Sequence, residues 1–153
     1  MSFASIRPDD WNFPLLLHIL GAMILVALLA SAVVVLVAAT RADDRAATVR
    51  FAFRTLLIGA IPAYLLMRVG AEWVASNENI PEDDPPSWID LGYVVADGGL
   101  LLLIVATVLA GLAARRARRG GAPTGLVRWT TGLTGFLILA YAVALWAMAT
   151  KPT

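Results

Sequence analysis

The sequence predicts an all-α membrane protein with four transmembrane helices in an up-down-up-down antiparallel bundle. The chain of 153 residues is 59% hydrophobic and 15% charged, with a mean hydropathy of +0.77. Soluble domains average about 45–50% apolar and about 25% charged residues, so this composition excludes a disordered chain and disfavours a soluble globule. Four apolar runs each reach the length of about 20 residues that a span requires. The length fits one domain, residues 1–153.

The first two apolar runs are residues 13–39 and 51–74. The first has His18 as its only ionisable residue. The second is less hydrophobic and carries Pro62 near its middle, where we expect a kink because proline removes one backbone hydrogen bond. The second run also contains three charged residues: Arg54, Arg68 and Glu72.

The other two apolar runs are residues 89–114 and 127–149. The third carries Asp90 and Asp97, and the fourth has Arg128 at its edge and no charge after it. Short connections at residues 40–50, 75–88 and 115–126 favour antiparallel neighbours. Small residues at spacing four, such as Ala106, Ala110 and Ala114, favour close helix packing.

The distribution of basic residues predicts the orientation of the bundle. Cytoplasmic loops carry an excess of Lys and Arg. Nine arginines cluster at the first and third connections, against three basic residues, Arg7, Arg68 and Lys151, at the other end. We therefore expect a multi-pass protein of the plasma membrane with these two connections in the cytoplasm and both termini outside. The nine are Arg41, Arg45, Arg50, Arg54, Arg115, Arg116, Arg118, Arg119 and Arg128.

Ionisable residues from three different spans fall in one layer near the outer boundary. His18, Arg68 and Asp97 each lie roughly 8–12 Å inside the predicted span ends, from the rise per residue of an α-helix. Such residues usually face the bundle interior or a water-filled cavity. Tyr64 and Glu72 share a helix face with Arg68, and Tyr93 shares one with Asp97. Tyr141 lies at a similar depth in the fourth run. The sequence thus predicts an outer-leaflet cluster of His18, Tyr64, Arg68, Glu72, Tyr93, Asp97 and Tyr141.

Two functions are compatible with this cluster. In the first, Arg68 pairs with Asp97 or Glu72 and the pair fixes helix register, so the protein is an accessory, scaffold or oligomeric membrane subunit. In the second, His18, Arg68, Glu72 and Asp97 line an outer-leaflet pocket that binds or transports a small polar solute or protons. The first is the leading hypothesis and the second is its alternative.

Few residues of this chain could bind a metal or a cofactor or act in catalysis. The chain has no cysteine and one histidine, so we expect no metal, no haem and no other cofactor. It contains no phosphate-binding glycine loop and no hydrolase motif, so we assign no catalytic residue and favour a protein that is not an enzyme. The expected partner is the lipid bilayer, with other membrane subunits or a second copy as further candidates, and not nucleic acid.

Two charged runs lie in the predicted connections. The basic run is expected to contact lipid headgroups, either as a topology determinant or as a binding site. Its residues are Arg115, Arg116, Arg118 and Arg119. The acidic run at residues 82–84 precedes two prolines. We interpret it as a solvated loop, because calcium loops need alternating oxygen ligands and a turn glycine.

The start of the first run reads Leu15-Leu16-Leu17-His18-Ile19-Leu20-Gly21-Ala22. This segment resembles the opening of small four-helix bacterial membrane proteins of uncharacterised role and, distantly, copper-resistance D-like membrane domains. The resemblance implies a bacterial inner-membrane protein. Copper-linked domains carry further histidines and methionines that this chain lacks, so the resemblance does not extend to a copper ligand set.

Overall fold

A computed structural model describes residues 12–78 and 87–150, and every regular element in those ranges is helical. The elements are α1 (Asn12–Ala38), α2 (Arg45–Arg54), a π-helical segment (Thr55–Ala60), α3 (Ile61–Glu78), α4 (Ser87–Arg118) and α5 (Thr124–Thr150). The described chain therefore has four helices long and apolar enough to cross a membrane, with α2, the π-helical segment and α3 joined into one. The predicted helical class is confirmed, and so is the number of helices long and apolar enough to span a membrane.

The second helix begins at Arg45, six residues before the predicted span. The sequence predicts a short connection at residues 40–50. Asp44 instead caps the helix, since its Oδ1 accepts a hydrogen bond from the Ala47 amide at 2.9 Å. Arg45 also donates to the carbonyls of Ala39 and Thr40, each at 3.1 Å, just beyond the end of α1.

A π-helical turn, Thr55–Ala60, lies on the N-terminal side of Pro62, where the sequence predicts a kink. The Ile61 amide donates to the carbonyl of Leu56, five residues back, instead of four. This wider turn accommodates one extra residue just before the proline, whose missing N–H already weakens the regular ladder.

Helix α4 is longer than the predicted third span of 89–114. It continues through Arg118 because Arg and Ala are strong helix formers even where the sequence is no longer apolar. The helix ends where Gly120 adopts a φ of +75°, a conformation that glycine reaches without strain. The Gly121 amide then donates to the Arg116 carbonyl at 3.1 Å and closes the turn toward α5.

The core is built from leucines and many alanines, and large apolar side chains also cover the outside. Two buried clusters form the interior. The larger contains Leu25, Leu29, Ala32, Leu56, Ala60, Ala63, Tyr64, Met67, Leu103, Ala110, Leu137 and Tyr141. The smaller contains Leu36, Ala39, Val49, Ala52, Ala113, Ala114 and Val127. Exposed residues such as Val34, Ile58, Val94, Leu139 and Leu145 make these helices apolar all round, which is typical of spanning helices.

Glycines set the closest helix contact, between α1 and α3. A Cβ on Gly21 would lie 2.5 Å from the backbone nitrogen of Met67, and a Cβ on Gly70 would lie 2.5 Å from that of His18. No side chain fits at either position, so the two backbones touch. By comparison, α3 meets α4 over a much smaller area.

Candidate functional site

Arg68 is the centre of the polar cluster. Its Nη1 lies 2.8 Å from Glu72 Oε1, one helical turn further along α3. Its Nη2 lies 3.2 Å from Asp97 Oδ1 on α4. Its guanidinium carbon lies 4.7 Å from the centre of the Tyr93 ring, also on α4. The structure thus brings four of the seven candidate residues into direct contact and links α3 to α4 through the arginine.

The cluster is open on its outer side. The Arg68 side chain is 25% exposed, whereas Glu72 is 52% and Asp97 is 65% exposed. The carboxylates therefore keep room for further hydrogen bonds, and the Coulomb energy of each pair is reduced wherever water reaches it. The exposure of Glu72 and Asp97 distinguishes this cluster from a fully buried ion pair.

Two buried tyrosines lie beneath the ion pairs. The Tyr64 hydroxyl donates to the Ala96 carbonyl at 3.1 Å, next to Asp97 in the sequence. The Tyr141 hydroxyl has no hydrogen-bond partner among the described residues, although the side chain is buried. A Cβ at Gly99 would lie 2.6 Å from this hydroxyl oxygen, so the glycine leaves the space that the phenol occupies.

His18 lies on the α1 side of α3 and contacts the backbone. Its Nδ1 is 3.0 Å from the Met67 carbonyl oxygen, and because a carbonyl only accepts, Nδ1 carries the proton. The bond crosses the tight α1–α3 contact beside Gly70. His18 is therefore a neighbour of the Arg68 group through the α3 backbone, and its described hydrogen bond goes to neither carboxylate.

Exposed tryptophans mark the level of the cluster along the helices. Trp73 follows Arg68 by five residues, which places Arg68 about 7.5 Å below the tryptophan along the helix axis. Trp146 follows Tyr141 by the same five residues on α5. Trp73 also makes an edge-to-face contact with Phe13 of α1, with 6.0 Å between the ring centres. Tryptophan is typical of membrane–water interfaces, and the ion pairs lie about one and a half helical turns from Trp73 along α3.

The opposite half of the bundle offers no continuation of this polar layer within residues 12–78 and 87–150. The buried hydroxyls there bond to their own helices: Thr107 to Leu103, Thr130 to Leu126 and Thr134 to Thr130, at 2.7–2.8 Å. Such bonds satisfy the hydroxyl one turn back and leave no chain from helix to helix.

The described ranges contain no cluster of side chains that could bind a metal ion. No three residues of the types His, Cys, Asp and Glu converge there in a way that could hold an ion. The acidic run at residues 82–84 lies outside the described residues.

The arginine run forms the second charged region. Two shallow depressions lie at the turn between α4 and α5, and both include Arg115 and Arg119. Asp97 and Arg115 are eighteen residues apart on α4, so this region lies about 27 Å along the helix from the ion pairs.

Sequence reasoning missed the glycine contact between α1 and α3. It favoured small residues in pairs at spacing four, and the buried series Ala106, Ala110 and Ala114 is of that kind. Gly21 and Gly70 belong to no such pair. The available signal was a single glycine in α1 and in α3, close in the sequence to His18 and Arg68.

Comparison with other proteins gives no relative: no family model matches the chain, and no curated protein or solved structure matches it.

Proposed function

We propose that this protein is a small polytopic membrane protein that acts through its helix surfaces, as an accessory, scaffold or oligomeric subunit. The observation that carries the proposal is the state of Arg68. Both ends of its guanidinium are bound by carboxylates of the same chain, and its face covers Tyr93. This cation is thus engaged within the bundle, as expected of a group that holds α3 to α4.

The proposed arrangement in the membrane follows the charges and the tryptophans. The four helices alternate in direction through the plasma membrane of a bacterium, with the arginine-rich connections in the cytoplasm. Trp129 and Trp146 on α5 are both exposed. Their separation of seventeen residues is about 25 Å, close to the thickness of the hydrocarbon core of about 30 Å. Glu72 and Asp97 then reach toward the outer headgroups.

Orientation can be tested by labelling, because the chain has no cysteine of its own. Ser76→Cys and Ala122→Cys place one thiol at each end of the bundle, both at exposed positions. A membrane-impermeant maleimide should label Ser76→Cys in intact cells and Ala122→Cys only after lysis. The reverse pattern would contradict the proposed orientation.

The scaffold role can be tested by crosslinking from lipid-facing positions. Single cysteines at Val34 and Leu139, which are two-thirds exposed on α1 and α5, should crosslink to a discrete product in native membranes if these faces contact a subunit or a second copy. The matched control is a cysteine at Ala106, which is fully buried. Crosslinking no stronger than that control at both faces would count against a scaffold.

The alternative is a binding or transport protein, and the exposure of Asp97 favours it. A largely exposed carboxylate at the mouth of a polar layer can accept hydrogen bonds from a solute, and the Tyr141 hydroxyl below it can donate one. Here Asp97→Asn should abolish solute uptake in vesicles while leaving the folded yield unchanged. Asp90→Asn is the matched control, since it is an exposed carboxylate on the same helix. Uptake that survives Asp97→Asn would exclude this role for the carboxylate.

A further inference from the structure

The end of α4 presents one stripe of basic and apolar side chains. Leu112, Arg115 and Arg116 follow the spacing i, i+3, i+4, which places them on one face of α4, and Arg119 follows in the turn directly after the helix. Leu112 is exposed, and so are the arginines. Among the described residues, ion pairs form only at Arg68, so these guanidinium groups have no carboxylate partner there.

The two depressions at this turn are adjacent and chemically similar. One is lined by Arg115, Arg118 and Arg119. The other adds Arg116 and is bordered by Leu112, Leu126 and Gly121. Arg115 and Arg119 belong to both, so they lie between two basic recesses. The second recess also has an apolar wall on the side of the helices.

Gly121 controls the position of Arg116. A Cβ at Gly121 would lie 3.0 Å from Arg116 Cγ and 3.5 Å from its Nε, so the glycine lets the arginine stem lie across the turn. The N-terminus of α5, which begins at Thr124, adds a partial positive charge beside the same turn. The recess is therefore shaped by the fold as well as by the abundance of arginine.

We propose that this turn binds an anionic phospholipid with two phosphate groups. Each recess takes one phosphate, Arg115 and Arg119 contact both, and the acyl chains run along Leu112 and Leu126. Arginine matches phosphate oxygens in a bidentate geometry, and basic pockets at the cytoplasmic ends of helices suit such headgroups. The site rests on the membrane insertion proposed above and is independent of the scaffold role.

The test uses the purified full-length chain in nanodiscs of phosphatidylcholine. Cardiolipin, with two phosphates, is compared with phosphatidylglycerol at twice the mole fraction, so that total charge is equal. Arg115→Gln/Arg119→Gln should weaken cardiolipin binding about 30-fold, from roughly fivefold per arginine. Arg41→Gln/Arg50→Gln removes the same charge at exposed positions outside both recesses and should change binding less than about threefold.

Three results would overturn the proposal: equal losses in the two double variants, equal binding of phosphatidylglycerol and cardiolipin at matched charge, or displacement of the lipid by millimolar pyrophosphate. The first indicates a diffuse electrostatic field, and the last indicates a soluble phosphate ligand. Alkaline carbonate extraction of native membranes separates these outcomes from a failure of membrane insertion. A chain that remains in the membrane but does not select cardiolipin overturns the lipid site alone.

Discussion

Helix α3 is held on one side by backbone contact and on the other by long side chains. Toward α1, Gly21 and Gly70 leave no space for a Cβ against Met67 and His18. Toward α4, Arg68 pairs with Asp97 and covers the Tyr93 ring, and the Tyr64 hydroxyl donates to a backbone carbonyl. Packed backbones tolerate almost no displacement, whereas ion pairs between partly exposed groups tolerate a good deal. The comparison indicates that α1 and α3 form the rigid unit and that the contact with α4 is adjustable.

The largest loss of stability is expected when a methyl group is added at the contact between α1 and α3. Gly70→Ala places a methyl group 2.5 Å from the His18 nitrogen and 2.9 Å from the Pro14 carbonyl oxygen, so α1 and α3 must separate. We expect a loss of about 3 kcal/mol or more in the free energy of unfolding, because overpacking against backbone cannot relax through a rotamer change. Unfolding by sodium dodecyl sulfate in mixed micelles measures this loss.

Gly98→Ala is the matched control, since a Cβ there meets nothing within 4 Å. Alanine is the better helix former, so this variant should be as stable as the parent or more stable by up to about 1 kcal/mol. Equal stability of Gly70→Ala and Gly98→Ala would contradict the backbone contact between α1 and α3.

An intermediate loss of stability is expected when the side-chain contacts between α3 and α4 are removed. Arg68→Gln removes two ion pairs and the contact with Tyr93. Each is worth about 1 kcal/mol or less at partly exposed sites, so the total loss should be about 2 kcal/mol. Asp97→Asn should cost less, about 1 kcal/mol, because Arg68 keeps Glu72 and the Asp97 side chain is already largely exposed. The value of about 3–5 kcal/mol that a closed, buried pair would give does not apply.

Arg54→Gln provides the comparison for Arg68→Gln in the same unfolding assay. Arg54 is an exposed arginine at the end of α2, and the described ion pairs do not include it. Its replacement should change the unfolding free energy by less than about 0.5 kcal/mol. If the two variants lose equal stability, the Arg68 cluster does not hold α3 to α4.

The smallest effects should separate the two tyrosines. Tyr64→Phe loses the hydrogen bond to the Ala96 carbonyl and should destabilise by about 1 kcal/mol. Tyr141→Phe removes a buried hydroxyl that lacks a partner among the described residues, so stability should stay the same or rise. A marked loss of stability in Tyr141→Phe would indicate that a bound water or solute satisfies its hydroxyl, and this result would favour the binding or transport alternative.

The sequence predicted the helices well because apolar run length is a direct signal for a spanning helix. Helix ends were predicted less well, since polarity alone does not end a helix: Arg115 and Arg116 continue α4, and Asp44 starts α2 seven residues before the apolar run. Within the candidate site, spacing placed Tyr64, Arg68 and Glu72 on one face, and their contacts follow from that face.

Contacts between helices were harder to predict, for a physical reason. Periodicity gives the face of each helix and says nothing about which neighbour it meets or how closely. The bond of His18 to the Met67 carbonyl depends on the α1–α3 distance, which Gly21 and Gly70 determine together. Likewise, the exposure of Asp97 depends on how little α3 and α4 cover each other.

The π-helical turn at Thr55–Ala60 sets the rotational phase between the two halves of the second membrane helix. Each residue of an α-helix advances the direction of side chains by about 100°. The turn holds one residue more than a regular helical turn would, so the same residues wound as a regular α-helix would rotate α3 by about that angle relative to α2. Tyr64, Arg68 and Glu72 would then face away from α4 while Val49 and Ala52 kept their places. A one-residue insertion thus decides the azimuth at which Arg68 meets Asp97.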